Sequence, residues 1–171
     1  MCKFYQADFS EDRQRVQELF TELSQFIYDN IFQRFGLGFD VHTLTAEWMA
    51  QLEEFFPPNG GLVLAVVDSE VVGVGCLKSN GERTGQIKHF YVRPQFRRRG
   101  LGRKLLGNLV EQSVSMGHTV LRLDTGWFME AAQALYRSFG FTEIAPYPET
   151  EVPKELHPFW IFLEKDLTAH I

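Results

Sequence analysis

Apolar positions along the chain change their period several times, and each change marks an element. Residues 3–9 alternate as an edge strand does. Ser10, Glu11 and Asp12 then look like a helix start, and Val16, Leu19, Phe20, Leu23, Phe26 and Ile27 recur at the three- and four-residue spacing of a helix running towards Phe32. Gly36 and Gly38 end it. A short helix is expected over residues 46–55, stopped by Pro57 and Pro58. Residues 61–67 and 71–78 read as two strands joined by a tight turn at Asp68, Ser69 and Glu70, with Gly73 and Gly75 weakening the second strand or marking a bulge. Residues 86–92 form a further strand, closed by Arg93 and Pro94.

Beyond the Gly100-Leu101-Gly102 turn, Leu105, Leu106, Leu109, Val110 and Val114 make one face of an amphipathic helix that ends near Gly117. An apolar strand over residues 119–123 follows, then a helix over 130–139 stopped by Gly140. A strand over 141–144, a Pro-rich loop over 145–158 and a last strand over 159–163 complete the order. Strand, helices, three strands, helix, strand, helix and two strands predict a mixed α/β layered fold. No repeat interrupts it, and 171 residues suit one domain spanning 1–171.

Composition narrows the class. With 44% apolar and 23% charged residues the chain can bury a core without disulfides or metals, which excludes disorder. No apolar run is long enough to cross a membrane as a helix, and the opening MCKFYQADF resembles no leader, so a cytoplasmic protein is expected. Cys2, Cys76 and the five histidines lack metal-ligand spacing, and no metal is expected. Charge is uneven: the net value is −5, yet residues 83–110 hold eight of the 17 Lys and Arg and no Asp or Glu. A single anion-seeking segment in an acidic protein points to a compact polyanionic ligand rather than to nucleic acid.

That segment joins a strand ending at Val92 to a basic, Gly-bearing turn and then a helix. Such a turn offers unpaired backbone N–H groups and a positive helix end to phosphate. Its glycines fit neither a P-loop nor the dinucleotide fingerprint. Residues 86–107 read QIKHFYVRPQFRRRGLGRKLLG and residues 120–141 read VLRLDTGWFMEAAQALYRSFGF. Together they resemble the GNAT superfamily of acyl-CoA-dependent N-acetyltransferases. In that family a strand ending Tyr-Val-x-Pro precedes an Arg/Gln-x-x-Gly-x-Gly/Ala turn, here Arg97, Arg98, Arg99, Gly100, Leu101 and Gly102. A later Ala, Leu-Tyr and Gly-Phe pattern matches Ala132, Leu135-Tyr136 and Gly140-Phe141.

The resemblance implies a twisted, mostly antiparallel α/β sheet of six or seven strands, with a splayed central pair and about four flanking helices. It implies acetyl-CoA as cosubstrate. The turn and helix start, residues 97–103 including Arg103, would hold the pyrophosphate, and Phe90, Tyr91 and Val92 would run beside the pantetheine. Tyr136 would be the general acid for the leaving thiolate. Relatives often carry Glu where this chain has Gln86, an amide that cannot act as a base. Strand alternation predicts His89 on the opposite face from Gln86 and Lys88, as a partly buried, non-catalytic residue. Glu82, His42 and acids of the N-terminal helices are further candidates for a water-mediated base, which stays unassigned.

Gln86, Lys88 and Asp124 are candidate acceptor-binding residues. Asp124 ends its strand and can orient an ammonium, or simply form a turn. The loop over 145–158, with Glu149, Glu151 and Glu155 and with Tyr147 and Trp160 nearby, resembles a lid; an exposed acidic loop is the alternative. The expected reaction is acetyl transfer to a primary amine, the acceptor being a small metabolite that the acidic surroundings would favour as a cation. Peptide acetylation and a CoA-binding sensor without turnover are the alternatives. Homodimers are common among similar proteins, so a homodimer is a possible assembly.

Overall fold

The computed structural model describes residues 1–170. Seven strands share one sheet: β1 (Cys2–Gln6), β2 (Gly60–Val67), β3 (Glu70–Ser79), β4 (Thr84–Val92), β5 (Val120–Gly126), β6 (Thr142–Ile144) and β7 (Trp160–Asp166). Their order is β1-β2-β3-β4-β5-β7-β6, and only the β4/β5 pair is parallel. Four α-helices flank the sheet: α1 (Arg13–Phe35), α2 (Val41–Ala50), α3 (Leu101–Ser115) and α4 (Glu130–Ser138). This is the mixed α/β architecture expected from the sequence.

Period-two alternation sends successive strand residues to two cores. Leu62, Leu64, Val74, Cys76 and Tyr91 pack against Val16, Leu19, Phe20 and Leu23 of α1 and Met49 of α2. Their sequence neighbours Val63, Ala65, Leu77, Ile87 and Val92 pack on the other face against Leu105, Leu106 and Leu109 of α3 and Tyr136 of α4. The three α3 leucines are fully buried, so cutting any one to Ala should cost about 2–5 kcal/mol.

Local chemistry set several boundaries. Helix α1 stops where Gly36 turns left-handed (φ +64°) and donates its N–H to Phe32 O. Helix α2 starts earlier than its apolar spacing suggests because the Asp40 carboxylate accepts the Thr43 N–H at 2.6 Å. The rest of that predicted helix is a separate 3₁₀ turn, Leu52–Phe55. Strand β7 continues past Leu163 because Glu164, Lys165 and Asp166 pair with Arg122, Leu121 and Val120 of β5.

Two irregularities of β4 shape the site. First, β4 pairs with β5 only through Thr84–Gln86 against Val120–Arg122. Beyond this the strands part, each held by its other neighbour: β4 by β3 up to Val92, and β5 by β7 up to Gly126. From Ile87 onwards the β4 edge that faces β5 is therefore free. Second, the β3/β4 register shifts between Val74 and Cys76, leaving His89 and Phe90 opposite the single residue Gly75. His89 takes a positive φ of 49° there. Gly75 fits because a Cβ would sit 2.7 Å from Leu109 Cδ1.

The bulge overturns the expected orientation of His89. An extra residue resets the alternation, so Lys88 and His89 line the same cavity as Gln86. His89 is 8% exposed and wedged between Phe20 and Trp48, each with its ring centre 4.5 Å away. Among the described residues no helix is long and apolar enough to cross a membrane.

Candidate active site

The turn entering α3 opens onto a groove of ≈ 640 Å³. Arg98 (φ +62°) and Gly100 (φ +77°) both adopt the left-handed conformation, which swings the chain into the helix. Main-chain bonding resumes at Lys104 N–H to Gly100 O (3.2 Å). The amides of Leu101, Gly102 and Arg103 in the first helical turn thus have no intrahelical acceptor. A Cβ at Gly102 would lie 3.3 Å from Leu135, against the groove wall, while none of the groups around Gly100 comes within 4 Å of a Cβ placed there. The residues present therefore fit a diphosphate that approaches the main chain closely.

Six of the eight basic side chains of residues 83–110 divide between the groove and other partners. Arg97, Arg98 and Arg103 line the groove. Arg97 donates its Nε–H to Val92 O at 2.8 Å, and Arg103 donates to Ser138 Oγ at 3.1 Å. Arg93 is spent on Glu22 and Glu70, each at 2.8 Å, and Lys88 on Glu151. Arg99 lies outside the groove, with its guanidinium 5.4 Å from the Phe96 ring centre, and Leu101 is buried in the core. Phe90, Tyr91 and Val92 line the groove as it follows the open edge of β4. Burial pushes the Tyr91 phenol up to about 12.

A second cavity, of ≈ 300 Å³, adjoins the groove at Leu23, Phe90 and Met129 and contains Tyr136. Tyr136 is 4% exposed, edge-on to Phe90 and Phe141. Burial, reinforced by the charge of Asp124, holds its phenol above the ordinary tyrosine range, so the proton stays on. No protein group among the described residues is hydrogen-bonded to this hydroxyl.

Gln86, Lys88 and Asp124 meet in this cavity. Gln86 is fully buried; its Oε1 accepts from Asn80 (2.7 Å) and its Nε2 donates to the Tyr147 hydroxyl (3.2 Å). Tyr147 O–H in turn donates to Asp124 Oδ2 at 2.9 Å, and Trp160 Nε1–H to Asp124 Oδ1 at 2.8 Å. Burial raises the Asp124 carboxyl above the usual range, against the pull of both donors.

The segment over 145–158 covers the cavity with Val152, Pro153 and Leu156. Its pins are Tyr147 and Glu151, the latter bridging Lys88 and Lys78. Burial opposes the Glu151 charge, but the two ammonium groups outweigh it and lower the carboxyl. Glu149 pairs with Arg122 at 3.3 Å, and neither Glu149 nor Glu155 lines the cavity. The base candidates Glu82 and His42 are exposed and lie outside it.

Residues 24–141 match the model of the Acetyltransferase (GNAT) family. The chain belongs to this family. An uncharacterised N-acetyltransferase of Schizosaccharomyces pombe is 26% identical over 136 residues, covering 78% of this chain and 83% of the relative. An IAA acetyltransferase of Azospirillum brasilense is 28% identical over 129 residues, covering 75% and 82%. The fold is shared with the PaiA N-acetyltransferase of Thermoplasma acidophilum, solved in complex with coenzyme A. That chain has a TM-score of 0.73 at 15% identity, with 97% of this chain and 99% of that one covered. The GNAT family match contains every groove residue but Leu23, together with the bulged β4 and Tyr136, and ends before Tyr147, Glu151 and Trp160.

The contributions of Tyr147 and Trp160 to Asp124, and of His89 and α1 to the cavity wall, were not derivable from motif spacing. For Tyr147 and Trp160 the sequence signal is the aromatic content in and just after the Pro-rich segment; His89 and α1 carry none.

Proposed function

We propose that this GNAT protein transfers the acetyl group of acetyl-CoA to the primary amine of a small molecule, by direct attack without a covalent enzyme intermediate. The carrying observation is the junction of the two spaces: a groove with unpaired amides and arginines meets a largely apolar cavity at Phe90, beside the unpartnered Tyr136 hydroxyl. Acetyl-CoA supplies an electrophilic thioester carbonyl and a thiolate leaving group. The amides of Leu101–Arg103, with Arg97, Arg98 and Arg103, hold its diphosphate. The free edge of β4 orients the pantetheine through main-chain hydrogen bonds, and an N–H there stabilises the developing oxyanion. Tyr136 protonates the departing sulfur.

The pinned segment over 145–158 favours a small acceptor over an extended peptide, because a peptide would have to displace the Glu151 and Tyr147 contacts. The test is calorimetric titration with acetyl-CoA, followed by thiol release over a panel of amines. Saturable micromolar binding with amine-stimulated release is expected. Absence of binding overturns the proposal, and binding without release under any amine favours a sensor.

A further inference from the structure

The charged and polar groups lining the ≈ 300 Å³ cavity are, with one exception, occupied or uncharged. Lys88 and Glu151 neutralise each other, and Gln86 uses both ends of its amide on Asn80 and Tyr147. His89 is held neutral, since burial and then the charges of Lys88 and Lys78 depress its imidazole well below the ordinary value; its Nε2 is buried without a partner. The exception is Asp124. Its carboxylate receives two neutral donors, Tyr147 O–H and Trp160 Nε1–H, and no cationic one. A carboxylate in such surroundings favours a cation brought by the ligand.

The rest of the wall is apolar, with Ile27 and Ile31 of α1, Leu44 and Trp48 of α2, and Val152 and Leu156 of the covering segment. An acceptor that fills it therefore carries its charge at one end only. A second ammonium, as in a diamine, or a carboxylate beside the amine, as in an amino acid, would be stripped of water against hydrocarbon or placed against Asp124.

We propose that the acceptor is a primary monoamine on an aryl or alkyl body, and that Asp124 receives its ammonium and then takes its proton, the role that Gln86 cannot fill. The inference rests on the acetyl-transfer reading above. The steps balance as follows. One N–H bond of the ammonium breaks and its proton passes to Asp124, which later releases it to solvent. The freed lone pair forms the C–N bond at the thioester carbonyl; the C–S bond breaks, and its electron pair, left on sulfur, takes the Tyr136 proton. The new amide nitrogen loses its second proton, which restores Tyr136. The net products are the acetamide, CoA thiol and one proton.

Burial raises the Asp124 carboxyl and so makes it a stronger base in the resting enzyme. Groups facing it are Lys88 and Gln86 from β4, Tyr136 from α4, Tyr147 and Glu151 from the covering segment and Trp160 from β7.

The experiment pairs calorimetric binding of acetyl-CoA with acetylation of phenethylamine, hexylamine, putrescine and glycine by the wild-type protein and by Asp124→Asn, Tyr147→Phe and Trp160→Phe. Phenethylamine or hexylamine should exceed putrescine and glycine in kcat/KM by about tenfold or more. Asp124→Asn should lower kcat roughly 100-fold, leave acetyl-CoA affinity within about twofold, and abolish the fall of kcat/KM on the acidic side. Tyr147→Phe and Trp160→Phe keep the carboxylate, so each should retain that acidic limb and lose less.

Equal losses in all three variants with the limb intact would mean that Asp124 only anchors the covering segment, and would overturn the proposal. Preference for putrescine or glycine in the wild type would overturn it without any variant, even if Asp124→Asn failed to fold. Failure of acetyl-CoA to bind would instead remove the acetyl-transfer reading on which it rests.

Discussion

The donor groove and the acceptor cavity lie side by side on one sheet and share Leu23, Phe90 and Met129, yet the groups they offer to a ligand are of different kinds. The groove is largely a backbone feature. A left-handed turn at Arg98 and Gly100, the first amides of α3 and the free edge of β4 supply its polar side within residues 90–103, while Leu23 and Phe26 of α1 and residues 128–135 complete its wall. The cavity is a side-chain feature assembled from α1, α2, β4, β5, α4 and the segment over 145–158. Main-chain recognition requires glycines and a helix start at fixed spacing, which leaves a contiguous motif. Side-chain recognition needs only that the right groups converge in space.

Substitutions can break or sharpen this contrast. The largest effect is expected at the junction itself: Tyr136→Phe should lower kcat by about 100-fold or more while changing acetyl-CoA affinity less than about threefold, as separate single-turnover and calorimetric measurements would show. Equal losses in both would place Tyr136 in the groove's binding function instead.

In the groove, backbone and side-chain changes should separate. Gly100→Val forces a β-branched residue into φ +77°, a strain of roughly 1–2 kcal/mol that should weaken acetyl-CoA binding about tenfold. Arg99→Ala, outside the groove, should stay within about twofold.

In the cavity, Glu151→Gln frees the covering segment from Lys88 and Lys78. Because the pair is part-exposed and worth about 1 kcal/mol, amine KM should rise roughly fivefold with acetyl-CoA affinity unaffected.

The smallest effect concerns acid stability. The His89 imidazole is depressed by burial in the fold, so below about pH 6.5 the unfolded chain binds a proton that the folded one refuses, and stability falls with pH. His89→Leu should therefore show a shallower loss between pH 7 and pH 5 in urea unfolding. A slope equal to wild type would mean that His89 is protonated within the fold.

The same contrast explains what the sequence made legible. The element order, the α3 leucine face and the Arg97–Gly102 turn were readable because each depends on neighbours within about ten residues. The cap of α2 at Asp40 is not legible in apolar spacing, which begins later. The orientation of His89 departs from simple alternation because alternation assumes a regular strand, and the bulge opposite Gly75 depends on packing from Leu109. The Gln86–Tyr147 contact joins positions 61 residues apart. The α1 residues of the cavity repeat the same periodicity as its core residues, so nothing local distinguishes Ile27 and Ile31, which line the cavity, from Leu19, which is fully buried.

The most direct measurement is a titration of the ¹⁵N-labelled protein with CoA, following backbone amide resonances. The account predicts saturable shifts concentrated at Leu101, Gly102 and Arg103, with smaller ones along Phe90–Val92. Saturation that leaves those three amides unmoved, while another part of the surface responds, would contradict it.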